Sequence, residues 1–398
     1  MRVLLLPSWY LPEGGQFVRH QALALCEQGV DVHILANVSL GWRKYGRKVL
    51  DFATYPLAPF FTEEDGIPVL RSFTRPIPRA TVFNIGLWAR RTVRMYDMYV
   101  RRFGHPDLIH VHSATWAAYA AALIKQKYGI PYVLTEHRGM FGCRSDYARS
   151  FFRKEYEPFF RAGFSSADCI IPVSDQQIGK IKSYCERDVP FRVIGNIVDT
   201  DFFCPSALKS EGVANPHSRN QPVQFVSVNG FYREKGYDIL LPAWDKLCDR
   251  RKDVHLTIVG ENFDVPEFQQ IWSACRHKET VTFTGEVNRE GVREQLGKAD
   301  AFVISSRVEA EPVAVLEAMA MGLPVVASEV VPEYEMPSLC GMRVPVENHD
   351  ALADALNRMA DSFERYDATA IRNHTIEIAS KQNVTKQLVY VYTRICSN

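Results

Sequence analysis

Short apolar runs alternate with longer amphipathic runs along the first half of the chain. The amphipathic runs Phe17–Gln28 and Trp116–Tyr128 have helical spacing and predict helices. The short runs are continuously apolar rather than alternating, which is typical of strands buried on both faces of a parallel sheet. They lie at Val3–Leu6, Val32–Ala36, Leu108–Val111, Tyr132–Thr135, Cys169–Val173 and Phe191–Ile194. This half of the chain is therefore predicted to be Rossmann-like.

The same order returns in the second half. Predicted strands lie at Gln224–Val228, His255–Val259, Val281–Thr284, Ala301–Ile304 and Pro324–Ala327. Predicted helices lie at Tyr237–Arg250, Pro266–His277, Gly291–Lys298 and Val313–Met321. Between the halves, residues 206–222 are rich in Ser, Asn, Pro and Gly, as expected of a linker. We predict an α/β fold of two Rossmann-like domains, 1–205 and 223–380, with an interdomain cleft at the carboxyl ends of both sheets.

Composition agrees with a folded protein of two domains. The chain has 398 residues, of which 46% are hydrophobic and 23% charged, and this length exceeds that of one ordinary core. Its 47 basic and 46 acidic residues leave a net charge of +1, so we expect no nucleic-acid partner. The nine cysteines are dispersed without metal-ligand spacing, as in a reduced cytoplasmic protein. The first apolar run ends at Pro7, too early for a signal peptide, and no run is long enough to span a membrane.

The segment from Ser305 to Ala327 contains the strongest candidate chemistry. A predicted buried strand ends in a loop that carries Glu309, and Pro312 suits the first turn of the helix that follows. Free amide groups at that helix N-terminus, together with the helix dipole, favour binding of a phosphate. Glu317 lies more than one turn into the helix and can face the same side.

Glu309 and Glu317 are separated by seven residues and followed by Ala-Met-Ala-x-Gly-x-Pro-Val-x-Ala. This pattern resembles the E-x7-E motif of retaining glycosyltransferases with the GT-B fold, especially family 4. The resemblance implies transfer of a sugar from a nucleoside-diphosphate sugar with retention at the anomeric carbon. It places Glu309 at the reacting carbon of the donor sugar and Glu317 at the ribose hydroxyls. It also implies that a final helix, within 381–398, completes the first domain.

The chain departs from the family pattern after the first glutamate, where Glu311 and Pro312 replace an aromatic and a small residue. Proline has no amide hydrogen, so the expected phosphate contact passes to Val313 or Ala314. Glu311 is interpreted as a solvent-facing charge.

Two glycine-containing loops also resemble family motifs. Gly14 and Gly15, between the first strand and helix, resemble the loop that faces the diphosphate and the acceptor. The stretch from Asn229 to Asp238 resembles the G-R-L…K-G motif, in which Gly230 and Lys235 match. Phe231 occupies the place of the family's arginine, and we expect Arg233 to substitute for it. The two cations would neutralise the leaving diphosphate.

Histidines follow two predicted strands of the first half. Asp107 to Ser113 matches the family's D-x-x-H-x-H pattern, which implies that His112 binds a hydroxyl of the donor hexose. His110 shares its strand face and is interpreted as a core residue. His137 matches the T-x-H-G loop and is expected on the acceptor side. Arg138 replaces the glycine of that loop and is a candidate ligand of an acceptor phosphate.

The remaining charged features concern metals and membranes. Asp199-Thr200-Asp201 resembles a metal-binding D-x-D, but two acids alone rarely hold Mg²⁺, so we predict no metal and no cofactor. Residues 41–102 contain twelve Lys or Arg against five acids, interleaved with aromatic residues. Such a surface can bind anionic lipid, and the same features also fit RNA binding or an ordinary solvated helix. Of these we expect peripheral contact with the inner face of a membrane. The expected acceptor is a lipid-linked or polysaccharide intermediate.

Two alternatives fit the same architecture. The replaced arginine and Pro312 suit a donor-binding module that has lost catalysis, and a sugar-nucleotide epimerase would release no free nucleotide. A dinucleotide-dependent dehydrogenase is disfavoured, because neither half has G-x-G-x-x-G after its first strand. The donor nucleotide, the sugar, the acceptor and the oligomeric state stay open.

Overall fold

The chain forms two compact α/β units. A computed structural model describes residues 1–12, 14–40, 55–142, 151–205 and 221–397. Unit 1 comprises Met1–Ile197 and Val384–Asn398, and unit 2 comprises Val198–Asn383. Each contains a mainly parallel sheet, which confirms the predicted fold class. Residues 206–220 of the predicted linker and residues 41–54, at the start of the basic segment, lie outside the described residues.

In the described part of unit 1, seven strands form one sheet in the order β3-β4-β2-β1-β5-β6-β7. All neighbours are parallel except the edge strand β3, which is antiparallel to β4. The strands are β1 (Arg2–Pro7), β2 (Asp31–Ser39), β3 (Phe60–Glu64), β4 (Ile67–Thr74), β5 (Leu108–His112), β6 (Tyr132–Glu136) and β7 (Cys169–Pro172). Pro7 aligns with His112, and His112 with Thr135, so β1, β5 and β6 end side by side.

Helices cover both faces of this sheet. They are α1 (Gln16–Glu27), α2 (Thr81–Phe103), α3 (Tyr119–Tyr128), α4 (Glu157–Ser165), α5 (Ile178–Lys182) and, almost entirely within this unit, α12 (Lys381–Cys396). Alternate residues of β1 point to opposite cores: Leu4 packs with Trp88 on one side, and Leu5 packs with Leu388 and Tyr392 on the other. Burying each such side chain contributes about 1.5–3 kcal/mol. Helix α12 therefore forms part of the core of unit 1.

Two predictions for unit 1 are wrong in detail. Phe191–Ile194 is not a regular strand: an isolated bridge pairs Phe191 with β7, the amides of Arg192 and Ile194 bond to β7 carbonyls, and Arg192 and Val193 are exposed. The helix predicted from Trp116 begins at Tyr119, because Trp116 has a φ of 74° and breaks the helical path. The strands β3 and β4 and the long helix α2 were not predicted.

In the described part of unit 2, six parallel strands form a sheet in the order β10-β9-β8-β11-β12-β13. They are β8 (Val223–Val228), β9 (Val254–Val259), β10 (Val281–Gly285), β11 (Ala301–Ile304), β12 (Val325–Ser328) and β13 (Gly341–Val344). The helices are α6 (Tyr237–Arg250), α7 (Pro266–Ala274), α8 (Arg289–Gly297), α9 (Val313–Ala320), α10 (His349–Ser362) and α11 (Ala368–Ala379). Every strand and helix predicted in this half is confirmed, with ends shifted by up to three residues.

None of the described helices is both long enough and apolar enough to cross a membrane.

Candidate active site

A lysine and a glutamate from two loops meet at the carboxyl edge of the unit 2 sheet. Lys235 follows β8, and its Nζ lies 2.7 Å from Oε1 of Glu309, which follows the neighbouring strand β11. Ser306 donates a second hydrogen bond, of 2.6 Å, to the same oxygen. The Glu309 side chain is only 9% exposed. Lys235 and Glu309, which were predicted from two separate motifs, are thus in direct contact.

Glycine at position 236 allows the two loops to approach. Gly236 has a φ of 72°, and a Cβ there would lie 2.2 Å from the carbonyl oxygen of Ser305. The Ser305 hydroxyl donates to the Gly236 carbonyl at 2.9 Å. Arg307 donates its amide to the Glu234 carbonyl at 2.7 Å and its guanidinium to the Asp238 carboxylate. These contacts hold Lys235 against Glu309.

Replacing Gly236 with alanine should therefore lower the free energy of unfolding by more than the strain of a positive φ alone would. Gly285 is the matched control, because its φ is 73° and a Cβ there would contact nothing within 4 Å. We expect Gly285→Ala to cost about 1–2 kcal/mol, from backbone strain. Gly236→Ala should cost at least about 3 kcal/mol, since its Cβ also meets backbone. Urea unfolding of both variants measures the difference, and equal losses would contradict this account.

Arg233 and Gly230 belong to the same loop. Arg233 is exposed in the short turn that ends at Lys235. A Cβ on Gly230 would lie 3.1 Å from the Glu261 side chain, so this position packs tightly. Phe231 packs against Phe268 with ring centroids 5.2 Å apart. The residue in place of the family's arginine is therefore part of the hydrophobic core.

Helix α9 begins beside Glu309. Among the described residues, the backbone amides of Val313 and Ala314 have no backbone acceptor, while those of Val315 and Leu316 bond to the Pro312 carbonyl. Such free amides at a helix start can bind an anion.

Glu317 lies one turn further along α9, and no described residue donates a hydrogen bond to its carboxylate. Burial raises the pKa of Glu317 to about 7, and the charge of Arg289 opposes that rise. A carboxylate that is partly shielded from water and lacks donors is suited to accept hydrogen bonds from a ligand.

The acids at 199 and 201 have no common ligand geometry. Asp199 is paired with Arg289 at 3.1 Å and with Lys381 at 3.2 Å. Asp201 is exposed. Within the described parts of the chain, no three His, Cys, Asp or Glu side chains converge on a point that could hold a metal ion.

In unit 1, His112 and His137 form a hydrogen-bonded chain at the ends of β5 and β6. His112 Nδ1 lies 3.0 Å from His137 Nε2, and His137 Nδ1 lies 2.8 Å from Asn196 Oδ1. Burial lowers the pKa of His112 well below its usual range and that of His137 to about 4, so both rings are neutral at pH 7. His137 must then donate from Nδ1 to Asn196 and accept at Nε2 from His112.

This arrangement leaves Nε2 of His112 as a hydrogen-bond acceptor. The atom is buried and has no partner among the described residues. His110, in contrast, is fully satisfied by Thr135 at 2.7 Å and Tyr392 at 2.5 Å, as expected of a core residue. The free lone pair of His112 can accept a hydrogen bond from a ligand hydroxyl.

Sequence reasoning missed Glu136, which connects the two histidine-bearing loops. Its buried carboxylate accepts hydrogen bonds from the Ser113 hydroxyl at 2.8 Å and from the backbone amides of Ala114 and Arg138 at 2.6 and 2.8 Å. Ser113 has a φ of 73°, a strained conformation that these bonds help to hold. Burial raises the pKa of Glu136, and the backbone donors oppose that rise. The sequence feature that could have revealed Glu136 is the position of an acid at the end of an otherwise apolar strand.

The glycine loop of unit 1 packs beside these histidines. Gly15 has a φ of 81°, and a Cβ there would lie 2.6 Å from the Trp9 carbonyl oxygen, while Gly14 has a φ of 93°. Phe17, in the first turn of α1, packs against His137 with ring centroids 4.3 Å apart. The Arg138 guanidinium lies 4.6 Å from the Trp9 ring centroid. The glycine loop, His112, His137 and Arg138, which were all predicted from the sequence, therefore form one cluster.

Family models match the two units in turn. The model described as Glycosyltransferase Family 4 matches residues 14–202, and the model described as Glycosyl transferases group 1 matches residues 211–374. The chain is a family 4 glycosyltransferase. The glycosyltransferase is 27% identical to the putative teichuronic acid biosynthesis glycosyltransferase TuaC of Bacillus subtilis, over 88% of this chain and 86% of TuaC.

Solved structures share the fold of this glycosyltransferase. Sucrose-phosphate synthase from Thermosynechococcus elongatus matches with a TM-score of 0.78 at 20% identity, over 100% of both chains. Anabaena HepE in complex with UDP matches with a TM-score of 0.69 at 17% identity, over 99% of this chain and 100% of that one. These likenesses confirm the GT-B fold class.

Proposed function

We propose that this glycosyltransferase moves a hexosyl group from a nucleoside-diphosphate sugar to a hydroxyl acceptor with retention at the anomeric carbon. The observation that carries the proposal is the Lys235–Glu309 pair, 2.7 Å long, beside the free amides that begin α9. A donor of this class places a diphosphate next to a sugar carbon that becomes positively charged as the bond breaks. Lys235 offers a cation for the diphosphate, and Glu309 offers an anion for the positively charged sugar carbon.

In the proposed reaction, the bond between the anomeric carbon and the diphosphate oxygen breaks as the acceptor oxygen attacks the same face. The acceptor proton passes to the leaving phosphate oxygen. Lys235, Arg233 and the amides of Val313 and Ala314 stabilise the growing negative charge. Glu309 stabilises positive charge on the sugar ring. These groups supply the neutralisation without a metal ion, which makes metal-independent transfer part of the proposal.

For unit 1 we propose three further roles. His112 accepts a hydrogen bond from a donor-sugar hydroxyl at its unpartnered Nε2. The Gly14-Gly15 loop lets backbone approach the substrates, since neither residue has a side chain to block them. His137 orients His112 and, with Arg138, faces the acceptor. The TuaC name mentions teichuronic acid biosynthesis, and we propose that the acceptor here is likewise an intermediate of a surface polysaccharide.

Nucleotide binding tests the donor half of this proposal. Glu317 would accept hydrogen bonds from both ribose hydroxyls, so Glu317→Ala should weaken the binding of UDP, ADP or GDP about 10- to 100-fold. The ionised carboxylate is the stronger acceptor, and its pKa is raised to about 7. Binding to the native chain should therefore tighten as the pH rises from about 6 to 8, by up to about tenfold.

The matched control is Glu317→Gln, which keeps the shape and cannot ionise. Its affinity should lack the part of the pH dependence that Glu317 contributes, while titration of the nucleotide's own phosphate persists in both proteins. Calorimetry at three pH values measures these constants. Equal affinity in the native chain and Glu317→Ala would remove the ribose assignment, and donor binding without release of free nucleotide would contradict transfer.

A further inference from the structure

An apolar cavity lies behind Arg138 in unit 1. Its volume is about 210 Å³, and its walls include Ile85, Trp116, Phe159 and Phe160. Arg138 is also part of the wall. This mainly apolar lining, which also includes Thr81, Thr115 and Tyr156, suits a hydrocarbon group, because water finds few partners there.

Arg138 gives this cavity a cationic end. Its guanidinium lies between Trp9, at 4.6 Å, and Phe151, at 5.2 Å from the ring centroids. Nε is buried without a hydrogen-bond partner, and no acid among the described residues forms an ion pair with its side chain. Burial lowers the pKa of Arg138, which still remains charged at neutral pH. The buried Glu136 carboxylate interacts electrostatically with Arg138 without forming an ion pair, so the unbonded Nε is available to an anionic ligand.

Helix α2 also carries an exposed apolar surface. Ile85 lines the cavity, while Phe83 and Leu87, each two positions away and therefore on the opposite side of the helix, are 58% and 48% exposed. Phe83, Leu87, Arg90 and Arg94 are separated by four, three and four positions and therefore lie on one face of α2. Both arginines are exposed. The helix therefore carries an apolar stripe that becomes cationic towards its C-terminal end. Such a stripe fits an anionic bilayer surface, with the apolar turns in the acyl region and the arginines at the headgroups.

We propose that the acceptor is a lipid phosphate, whose phosphate binds Arg138 and whose first carbons fill the cavity. A 150 Å³ apolar cavity holds about one benzene molecule, so this space admits only the start of a lipid chain. Phe83 and Leu87 hold helix α2 at the bilayer surface from which the lipid is taken. This inference rests on the proposed function and narrows its acceptor to one chemical class.

Decyl phosphate is a soluble probe of the site. Decanol is the control that has only the hydrocarbon chain, and inorganic phosphate is the control that has only the anion. Binding is followed by the fluorescence of Trp116 and Trp9. The native chain should bind decyl phosphate at least about tenfold more tightly than either half. Arg138→Gln should abolish the preference for decyl phosphate over decanol. Ile85→Trp, which fills the cavity, should weaken both ligands. A preference that survives Arg138→Gln would overturn the proposal.

Vesicles containing phosphatidylglycerol test the surface on α2. Phe83→Ser combined with Leu87→Ser should reduce flotation with these vesicles at least about fivefold. Tyr390→Ser is the matched control, since Tyr390 is 52% exposed elsewhere in unit 1, and it should float like the native chain. Equal flotation of all three proteins would overturn the membrane contact.

UDP affinity separates this inference from the proposed function. All these variants should bind UDP as the native chain does, because none of them changes the Gly14-Gly15 loop or the proposed nucleotide contacts in unit 2. If the native chain binds no nucleotide, the proposed function is contradicted and the lipid site is not. If the native chain binds UDP but binds decyl phosphate no more tightly than decanol or inorganic phosphate, only the lipid site is contradicted.

Discussion

Glu309→Gln should reduce the rate of sugar transfer about 100- to 1,000-fold, the range found when one group that stabilises transition-state charge is removed. Glutamine keeps the size of the side chain and removes the negative charge that would face the anomeric carbon. It also ends the ion pair with Lys235, which is 2.7 Å long in the free protein. Nucleoside-diphosphate affinity should stay equal or rise, because Lys235 becomes available to phosphate.

Glu311 provides the control for this variant, since it lies two residues away in the same loop. Glu311→Gln should keep transfer within about threefold of the native rate, as expected of a charge outside the reacting group. Initial rates at saturating donor, together with calorimetric affinity for UDP, separate loss of catalysis from loss of binding. If Glu309→Gln also stays within threefold, the role proposed for Glu309 is wrong.

Lys235→Met should lower both activity and stability. The leaving diphosphate loses its nearest proposed cation, so kcat/KM should fall at least about 100-fold. Glu309, 9% exposed, loses its only described ion-pair partner and keeps the hydrogen bond from Ser306. Leaving that carboxylate unpaired should cost about 1–3 kcal/mol of the free energy of unfolding. Urea unfolding and initial-rate kinetics measure the two effects.

The double variant Lys235→Met with Glu309→Gln isolates the ion pair. If the stability loss comes from an unpaired carboxylate, the double variant should be more stable than Lys235→Met alone. Arg233→Met removes a neighbouring exposed cation and should cost only about tenfold in kcat/KM, since water screens its charge. Additive stability losses in the double variant would show that Lys235 and Glu309 do not interact in solution.

Much of unit 2 could be predicted from the sequence, because its parallel strands are continuous apolar runs and its helices are regular. That pattern placed Lys235 and Glu309 after two strands. It could not show that β8 and β11 are neighbours, which brings residues 74 positions apart into contact. Ser306 and Arg307, which support this contact, carry no pattern of their own. Their importance arises only when the two loops meet.

Unit 1 was less predictable where its structure depends on packing. Helix α2 is strongly amphipathic, but its arginines and aromatic residues were interpreted as a basic surface, and no helix was predicted there. Phe191–Ile194 reads as a strand but has only the outer edge of β7 as a neighbour. Sequence suggested His112 and Arg138 as ligands of substrate, whereas their unpartnered nitrogens and the adjoining cavity follow from tertiary contacts alone.

Helix α12 has a consequence for how the chain folds during synthesis. Its residues Val384, Leu388, Val391 and Tyr392 belong to the core of unit 1, whose other buried core residues precede Val198 in the chain. The ribosome must therefore translate all of unit 2 before the core of unit 1 can close. Until then the apolar face that α12 will cover stays exposed on the nascent chain, where chaperones can bind it.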